Sequence, residues 1–542
     1  MLNLPSFKSS SLQKIIYSVV GLILALAPLV RFSWDIPTQI VVLLILATTF
    51  VILWSSCKIH IEPRRDVLLL FFYLAVVVSL VFAKDERAHV RNELVMLSGG
   101  LLAAYLFSFL SLDDKKKLLR VPLVTGFFLS VVTLVTGLQN VTTALKTYSF
   151  IESALFINVN VVAGYLVLVF PLSFIFSNDR TVHPVFRALL PVIIFLGIVI
   201  TKSRIAIFTS FLCGLYLYWR FHRPGHLAKY MLLLFPVVAA LLLAITHMKQ
   251  LAFNGGMLTD RLLWWRSALA MFLEHPFSGI GWGNFGNLYL AYRPQLTVNT
   301  IFAHNLPVEL MAETGIPGAM AMLAVLSYFF VACFRLIKAE ATGDSLFLPI
   351  LLSVGGFLMI NMFDYSFFVP ATQLLFWVLI GSVFSGHFEL RNNPSAHRLL
   401  GAAALAVIYF YSAQPLLAHI QYRNGMYYQL DNNLDMAERS YLNAIRYDSL
   451  PSPYHAKIAE IHLTRYVNSG GASEIAMAIR AQNSAIKRFP SNAAYWADLG
   501  WLYRVAGEQD KARQALEMAV RYNRFNKKYS EALKSFNKEN CH

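Results

Sequence analysis

The chain has 542 residues, 57% of them hydrophobic and 14% charged, with a formal net charge of +16 and a mean hydropathy of +0.54. Soluble domains are about half apolar and about a quarter charged, so this balance excludes an ordinary soluble enzyme and indicates a polytopic membrane protein. In such a protein an excess of Lys and Arg marks cytoplasmic loops, and no nucleic-acid partner is expected.

The four cysteines, Cys57, Cys213, Cys333 and Cys541, form no C-x-x-C pair. Neither a disulfide framework nor a zinc site is expected. Apolar runs long enough to cross a bilayer recur at 15–30, 36–55, 67–83, 94–112, 121–138, 159–176, 189–200, 205–218, 230–245, 316–337, 346–362, 367–383 and 399–411. Lipid offers no partner to open strand edges, so about 12 or 13 helical spans are expected, the first retained rather than cleaved. The fold class is therefore all-α, with a polytopic membrane domain over 1–413.

Alternate loops differ in charge. One set holds Lys58, Arg64 and Arg65, then Lys115, Lys116, Lys117 and Arg120, then Arg220, Arg223 and Lys229; the opposite short loops are poorer. The richer set should be cytoplasmic, which puts the N-terminus inside and the large loop 247–315 outside. An odd number of spans then places residues 414–542 outside as well.

That tail is polar and repetitive. Trp496, Leu499, Gly500, Tyr503, Gly507, Ala512, Leu516 and Ala519 follow tetratricopeptide spacing. Gly425, Tyr428, Ala437, Tyr441 and Ala444 repeat it, and a looser copy holds Ala459, Ala478, Ala485 and Pro490. A helical repeat domain is expected, serving either to bind a partner protein or as a rigid spacer.

Three polar constellations fall on the expected outer side. The first, T-K-S-R-I-A at 201–206, is a short turn that leaves Arg204 near the headgroup region, unless it merely snorkels. The second, 259–276, reads as a helix capped by Thr259 and stopped by Pro276, carrying Arg261, Trp264, Trp265 and Arg266. The glycines that follow, Gly279, Gly281, Gly283 and Gly286, lack the βαβ setting of a nucleotide loop and suit a tight turn with close backbone approach. The third, A-H-N-L-P-V-E-L-M-A-E-T-G at 303–315, places His304 before a helix with Pro307 in its first turn, Glu309 and Glu313 on one face and Gly315 as its cap.

These parts suit one task. A lipid pyrophosphate presents dense negative charge at headgroup level, and arginine grips such oxygens bidentately while staying charged, which makes Arg204 and Arg261 natural clamps. Transfer of a glycan from that donor needs a proton acceptor for the incoming hydroxyl, a role open to a neutral His304. No acidic cluster suits a metal, so no metal and no cofactor are expected.

The combination of I-N-V-N-V-V-A-G-Y-L (157–166), T-K-S-R-I-A, the R-x-x-x-W helix running into P-F-S-G-I-G-W-G-N-F, and A-H-N-L-P-V-E-L-M-A-E-T-G resembles the O-antigen ligase and O-antigen polymerase superfamily. The resemblance implies an undecaprenyl-pyrophosphate-linked glycan donor and a metal-independent inverting glycosyltransferase on the periplasmic face. It implies pyrophosphate contacts for Arg204 and Arg261, a base role for His304, and donor-side roles for Asn158 and Asn160. Arg266 lacks a family counterpart and joins Glu309 as a further substrate-binding expectation. Lipid A–core is the leading acceptor; a second lipid-linked glycan (a polymerase) and a protein hydroxyl are the alternatives. Ile157 and Val159 stand where protein-glycosylating members commonly carry a glutamine, which weighs against a protein acceptor. From other classes, a glycan transporter would show internal duplication with broken midplane helices, and a scaffold would keep its role without His304.

Overall fold

The computed structural model describes residues 9–29, 36–60, 62–83, 85–142, 158–176, 182–222, 256–296, 298–339, 346–392 and 394–539. The expected span 230–245 lies outside these. The remaining apolar runs are helical. In chain order they give α1 (Ser9–Leu26), α2 (Ile36–Ser56), α3 (Pro63–Phe82), α4 (Arg87–Ser108), α5 (Leu112–Leu118), α6 (Arg120–Thr142), α7 (Val159–Val169), α8 (Pro184–Ile200), α9 (Arg204–His222), α10 (Gly256–Glu274), α11 (Phe285–Tyr292), α12 (Leu306–Ala339), α13 (Phe347–Ile360) and α14 (Pro370–Ser382). Beyond them come α15 (Ser395–Leu430), α16 (Leu434–Tyr447), α17 (Ser452–Ser469), α18 (Ala472–Arg488), α19 (Ala493–Val505), α20 (Gln509–Tyr522) and α21 (Lys527–Glu539). Among the described residues, α2, α3, the stretch Leu112–Thr136, α12 and α15 are long and apolar enough to cross a membrane, with shorter apolar helices packed among them. The chain is an all-α, multi-pass membrane protein.

Several boundaries differ from the sequence reading for local reasons. The expected span 159–176 is an α-helix only to Val169; Pro171, which has no N–H to donate, turns the remainder into a 3-10 segment, Pro171–Phe176. The second polar helix begins at Gly256, so Thr259 lies in its first turn rather than capping it, while Pro276 does follow its end at Glu274. Two loops distant in sequence pair as a short antiparallel ribbon, β1 (Cys57–His60) with β2 (His387–Leu390), in register Lys58↔Glu389. Helical periodicity carries no signal for such a pairing.

The bundle centres on α14, every residue of which is buried. Small residues let its neighbours approach, as they do wherever helices pack inside lipid. A Cβ at Gly100 of α4 would lie 2.5 Å from the Trp377 indole, and one at Gly381 would lie 2.3 Å from the carbonyl oxygen of Ala104.

The polar C-terminal part is a stack of helical hairpins. Helix α15 runs unbroken through position 413, so the last apolar span and the first repeat helix are one continuous element. Its lower half pairs with α16, α17 pairs with α18, and α19 pairs with α20; α21 closes the stack. The second helix of each hairpin contributes two alanines seven residues apart, Ala437 and Ala444, Ala478 and Ala485, Ala512 and Ala519, all 0% exposed. Gly425 and Gly500 admit the Tyr441 ring and Leu516 from the partner helices. The stack docks on the loop that precedes α4 and on the first turns of that helix. Arg91 pairs with Asp448 at 2.7 Å, Ser491 N–H donates to Asp85 Oδ1 at 2.8 Å, and Ser452 donates to Glu86.

Candidate active site

Three helices end together at one side of the bundle. On α9 and α13, Thr209 meets Gly356 and Cys213 Sγ approaches the Leu352 carbonyl, so the two run antiparallel. The start of α9, Arg204, is therefore level with the end of α13, just before Asp364. Helix α7 presents its N-terminus at the same end. Gly164 faces Ser366 and Phe357, and Ser366 Oγ donates to the Asn160 carbonyl at 3.4 Å. Asn158 is the N-cap of α7, its Oδ1 accepting from Asn160 N–H at 2.8 Å, and its side chain also hydrogen-bonds Tyr365.

The neighbouring wall is built on a kink. Gly315 sits at φ 66° inside α12, and Pro317 has no N–H, so the Glu313 carbonyl cannot find its helical partner. Ile316 N–H is also diverted, donating to the Pro276 carbonyl at 2.8 Å. The two carbonyls left over are taken by the glycine turn: Ile280 N–H donates to Ala312 O and Gly281 N–H to Glu313 O, each at 3.0 Å. The Glu313 carboxylate completes the clamp, accepting from Gly283 N–H at 2.8 Å and Phe285 N–H at 3.0 Å. Gly279, Gly281 and Gly283 all have positive φ. These glycines bring backbone to backbone, as the sequence led us to expect.

His304 stands at the mouth of this wall. It adopts φ 56°, a left-handed conformation to which His is more tolerant than most side chains. Three neighbours hold it there: Leu306 N–H donates to the Asn361 carbonyl at 2.8 Å, Asn305 Nδ2 to the Met362 carbonyl at 3.1 Å, and Ala303 N–H to Glu309 Oε2 at 3.0 Å. The imidazole Nδ1 is 3.0 Å from the Phe302 carbonyl. A carbonyl only accepts, so Nδ1 carries the proton and Nε2 is left as the acceptor. Burial, and secondarily the Arg261 charge, push the His304 pKa down to about 4 against the opposing pull of the Phe302 carbonyl. The ring is neutral at neutral pH.

Around it, Trp264 lies 4.7 Å away, centroid to centroid, and Tyr365 presents an edge at 5.0 Å. Phe302 stacks on Tyr365 at 4.7 Å with planes 9° apart. Arg261, half-buried on α10, interacts with both His304 and Asp364. Asp364 is 6% exposed, and burial pushes its carboxyl up to about 6 although Tyr365 N–H and Arg261 pull it down.

Of the residues expected at the site, His304, Arg261 and Asn158 meet in one network, and Asn160 adjoins it through its backbone. Arg204 and Arg266 are exposed; Arg204 is at the same end of the bundle. Glu309, expected to face substrate, is instead 0% exposed: the apolar helix face turns inward, and its carboxylate braces the His304 loop. Sequence reasoning missed Asp364 and Tyr365, whose only signal was a polar D-Y-S between two apolar runs. Among the described residues, no group of three or more His, Cys, Asp or Glu is arranged to hold a metal ion.

Residues 189–323 match the family described as O-antigen ligase. That segment includes Arg204, Arg261, Trp264 and His304 and stops short of Asp364 and the helical hairpins. No curated protein matches the chain.

Proposed function

We propose, on the match of residues 189–323 to the O-antigen ligase family, that the chain transfers a glycan from undecaprenyl pyrophosphate to an acceptor hydroxyl on the periplasmic face of a bacterial inner membrane, with lipid A–core as the leading acceptor. The coarse activity, glycan transfer of the ligase and polymerase type, follows from the family. The donor, acceptor, sidedness and inverting course are our reading. One observation supports it most: a neutral imidazole with a free Nε2, backed by Trp264 and set beside a guanidinium.

In this reaction the acceptor oxygen attacks the anomeric carbon and its proton passes to His304 Nε2. The bond from that carbon to the pyrophosphate oxygen breaks, and the lipid pyrophosphate leaves with the electron pair. Attack opposite the leaving group inverts the anomeric centre. Arg261, oriented by Asp364, and Arg204 bind the diphosphate and stabilise the charge that grows as the bond breaks. A base with a pKa near 4 is weak in the empty site; bound diphosphate, with its negative charge, raises it toward the working range. General-base help contributes about 10²–10⁴-fold, so positioning and charge stabilisation carry much of the rest.

The helical hairpins offer a groove of about 560 Å³ whose lining includes Tyr422, Lys457, Glu460, Gln482 and Trp501. It suits a protein partner, with a rigid spacer as the alternative role of the hairpins. The test of the main reading is reconstitution in lipid vesicles with an undecaprenyl-pyrophosphate glycan and three acceptors: lipid A–core, a second lipid-linked glycan, and peptide. Single glycan capping of lipid A–core is the expected product. A ladder on the lipid carrier would establish a polymerase instead, and no transfer to any acceptor would remove the enzyme reading.

A further inference from the structure

The last helical hairpin reaches back to the segment that carries His304. Arg293 ends α11 and is 4% exposed, an unusual burial for a side chain that must keep its charge solvated or paired. Its Nη1 donates to Asn299 Oδ1 at 3.3 Å, inside the loop that leads to His304. Its Nη2 donates to Asn523 Oδ1 at 2.7 Å, at the end of α20. The guanidinium lies 5.2 Å from the Phe525 ring, and Arg524 closes the circuit by donating from Nη2 to the Arg293 carbonyl at 2.7 Å. Arg524 also sits 4.9 Å from the same ring.

From here the restraint passes toward the chemistry. Val298, one residue before Asn299, accepts from Trp264 Nε1 at 3.3 Å, and Trp264 is the ring against which His304 lies. Thr300 Oγ1 donates to the Phe302 carbonyl at 2.7 Å, the same carbonyl that fixes the His304 tautomer. Arg293 thus ties one end of this loop to the C-terminal hairpins, while Glu309 and Asn361 tie the other.

We infer that Arg293 is a positioning residue through which the turn Asn523–Arg524–Phe525 holds the His304 loop, so that the C-terminal hairpins form part of the catalytic apparatus. Asn523, Arg524 and Phe525 lie beyond the O-antigen ligase match, which ends at residue 323. The link to catalysis rests on reading His304 as the base; the link to loop order does not. A planar fork is required, because one charged group must serve Asn299, Asn523 and an aromatic face together.

The test is amide hydrogen exchange on the full-length protein in lipid nanodiscs, followed at residues 298–305 and, as control, at α7. Asn523→Ala and Arg293→Lys should speed exchange in the loop by about tenfold or more and leave α7 unchanged. Asn523→Asp, which keeps the acceptor oxygen, should restore protection. Unchanged exchange in both loosening variants would overturn the clamp, and so would equal loosening of loop and α7, which signals general unfolding. Glycan transfer is measured on the same samples. If the loop loosens and wild-type protein transfers no glycan, the clamp stands and the enzyme reading fails; if the loop loosens and wild-type transfer persists unaltered in Asn523→Ala, the catalytic role of the clamp fails.

Discussion

The His304 imidazole lies against the Trp264 indole with centroids 4.7 Å apart and planes inclined at 33°. Trp264 is three residues from Arg261 along α10, so one helical turn supplies both the surface that orients the imidazole and a cation beside it. A flat apolar ring on one side also keeps water from that face of the imidazole.

This arrangement sets the pH dependence. With its pKa held at about 4 by burial and by Arg261, His304 of the free enzyme gains a proton only in strong acid. We expect kcat/KM for glycan transfer to be level from about pH 5 to 7 and to fall as pH drops through about 4, because the protonated ring cannot accept the acceptor's proton. His304→Ala should lower transfer by about 100-fold or more while the protein still folds. An acid limb centred near 6.5 would mean that the ring is solvated and not the packed group described.

Asp364 carries the opposite sign. Its folded pKa is raised from 3.8 to about 6, so the native state binds more protons than the unfolded chain across that window. Stability from this group therefore falls as pH rises from about 4 to 6. Asp364→Asn keeps an oxygen for Tyr365 N–H, which donates to Oδ1 at 2.6 Å, and removes the buried charge. We expect a melting temperature at pH 7 no lower than wild type, yet a loss of transfer of about tenfold or more, because Arg261 loses its orienting partner. A fall in both together would make Asp364 purely structural.

Part of this candidate site's geometry was legible in the chain. His304 and Arg261 announced themselves because a charged or titratable side chain beside apolar runs has few structural excuses. The glycine turn was legible as a close approach, although not its partner: the carbonyls it satisfies are released by Gly315 and Pro317, more than thirty residues downstream of Gly279. Asp364 and Tyr365 were missed because their place beside Arg261 depends on α7, α9 and α13 ending side by side, and nothing in a linear pattern states which helix ends coincide. The burial of Glu309 was not legible for a related reason. Its place on a helix face was clear, but whether that face looked inward depended on the loop it braces. The alanine and glycine spacing of the C-terminal hairpins was readable throughout, since each hairpin repeats its own local packing, whereas their docking through Arg91, Asp85 and Arg293 was not.

Arg204 is the arginine at the start of α9, reached through a turn in which Lys202 takes φ 58°. Arg204→Lys keeps a positive charge at the same place but replaces a planar two-pronged donor by a point charge. Turnover should fall by about tenfold or more, with membrane insertion and melting temperature unchanged. Initial rates against donor concentration will show the loss. Wild-type turnover in the lysine variant would count against bidentate binding of the diphosphate.

The clamp between the glycine turn and the α12 kink should be the least tolerant part of the wall. At Gly279, φ is 64° and an added Cβ would fall 2.1 Å from the Glu313 carbonyl oxygen, with the backbone nitrogen of Thr314 also within 2.4 Å. Neither neighbour is a flexible side-chain end. The left-handed conformation alone costs an L-residue about 1–2 kcal/mol, and relieving the overlap means breaking the bonds from Ile280 and Gly281 to α12. We expect Gly279→Ala to destabilise the protein by more than about 3 kcal/mol. Gly355→Ala is the matched control: it lies in helix α13 with nothing within 4 Å of its added Cβ, and should be neutral or stabilising by about 0.5–1 kcal/mol. Thermal unfolding of the two purified variants in the same detergent decides the point. Equal melting temperatures would show that the turn can move away from α12, and that the wall behind His304 is softer than its hydrogen bonds imply.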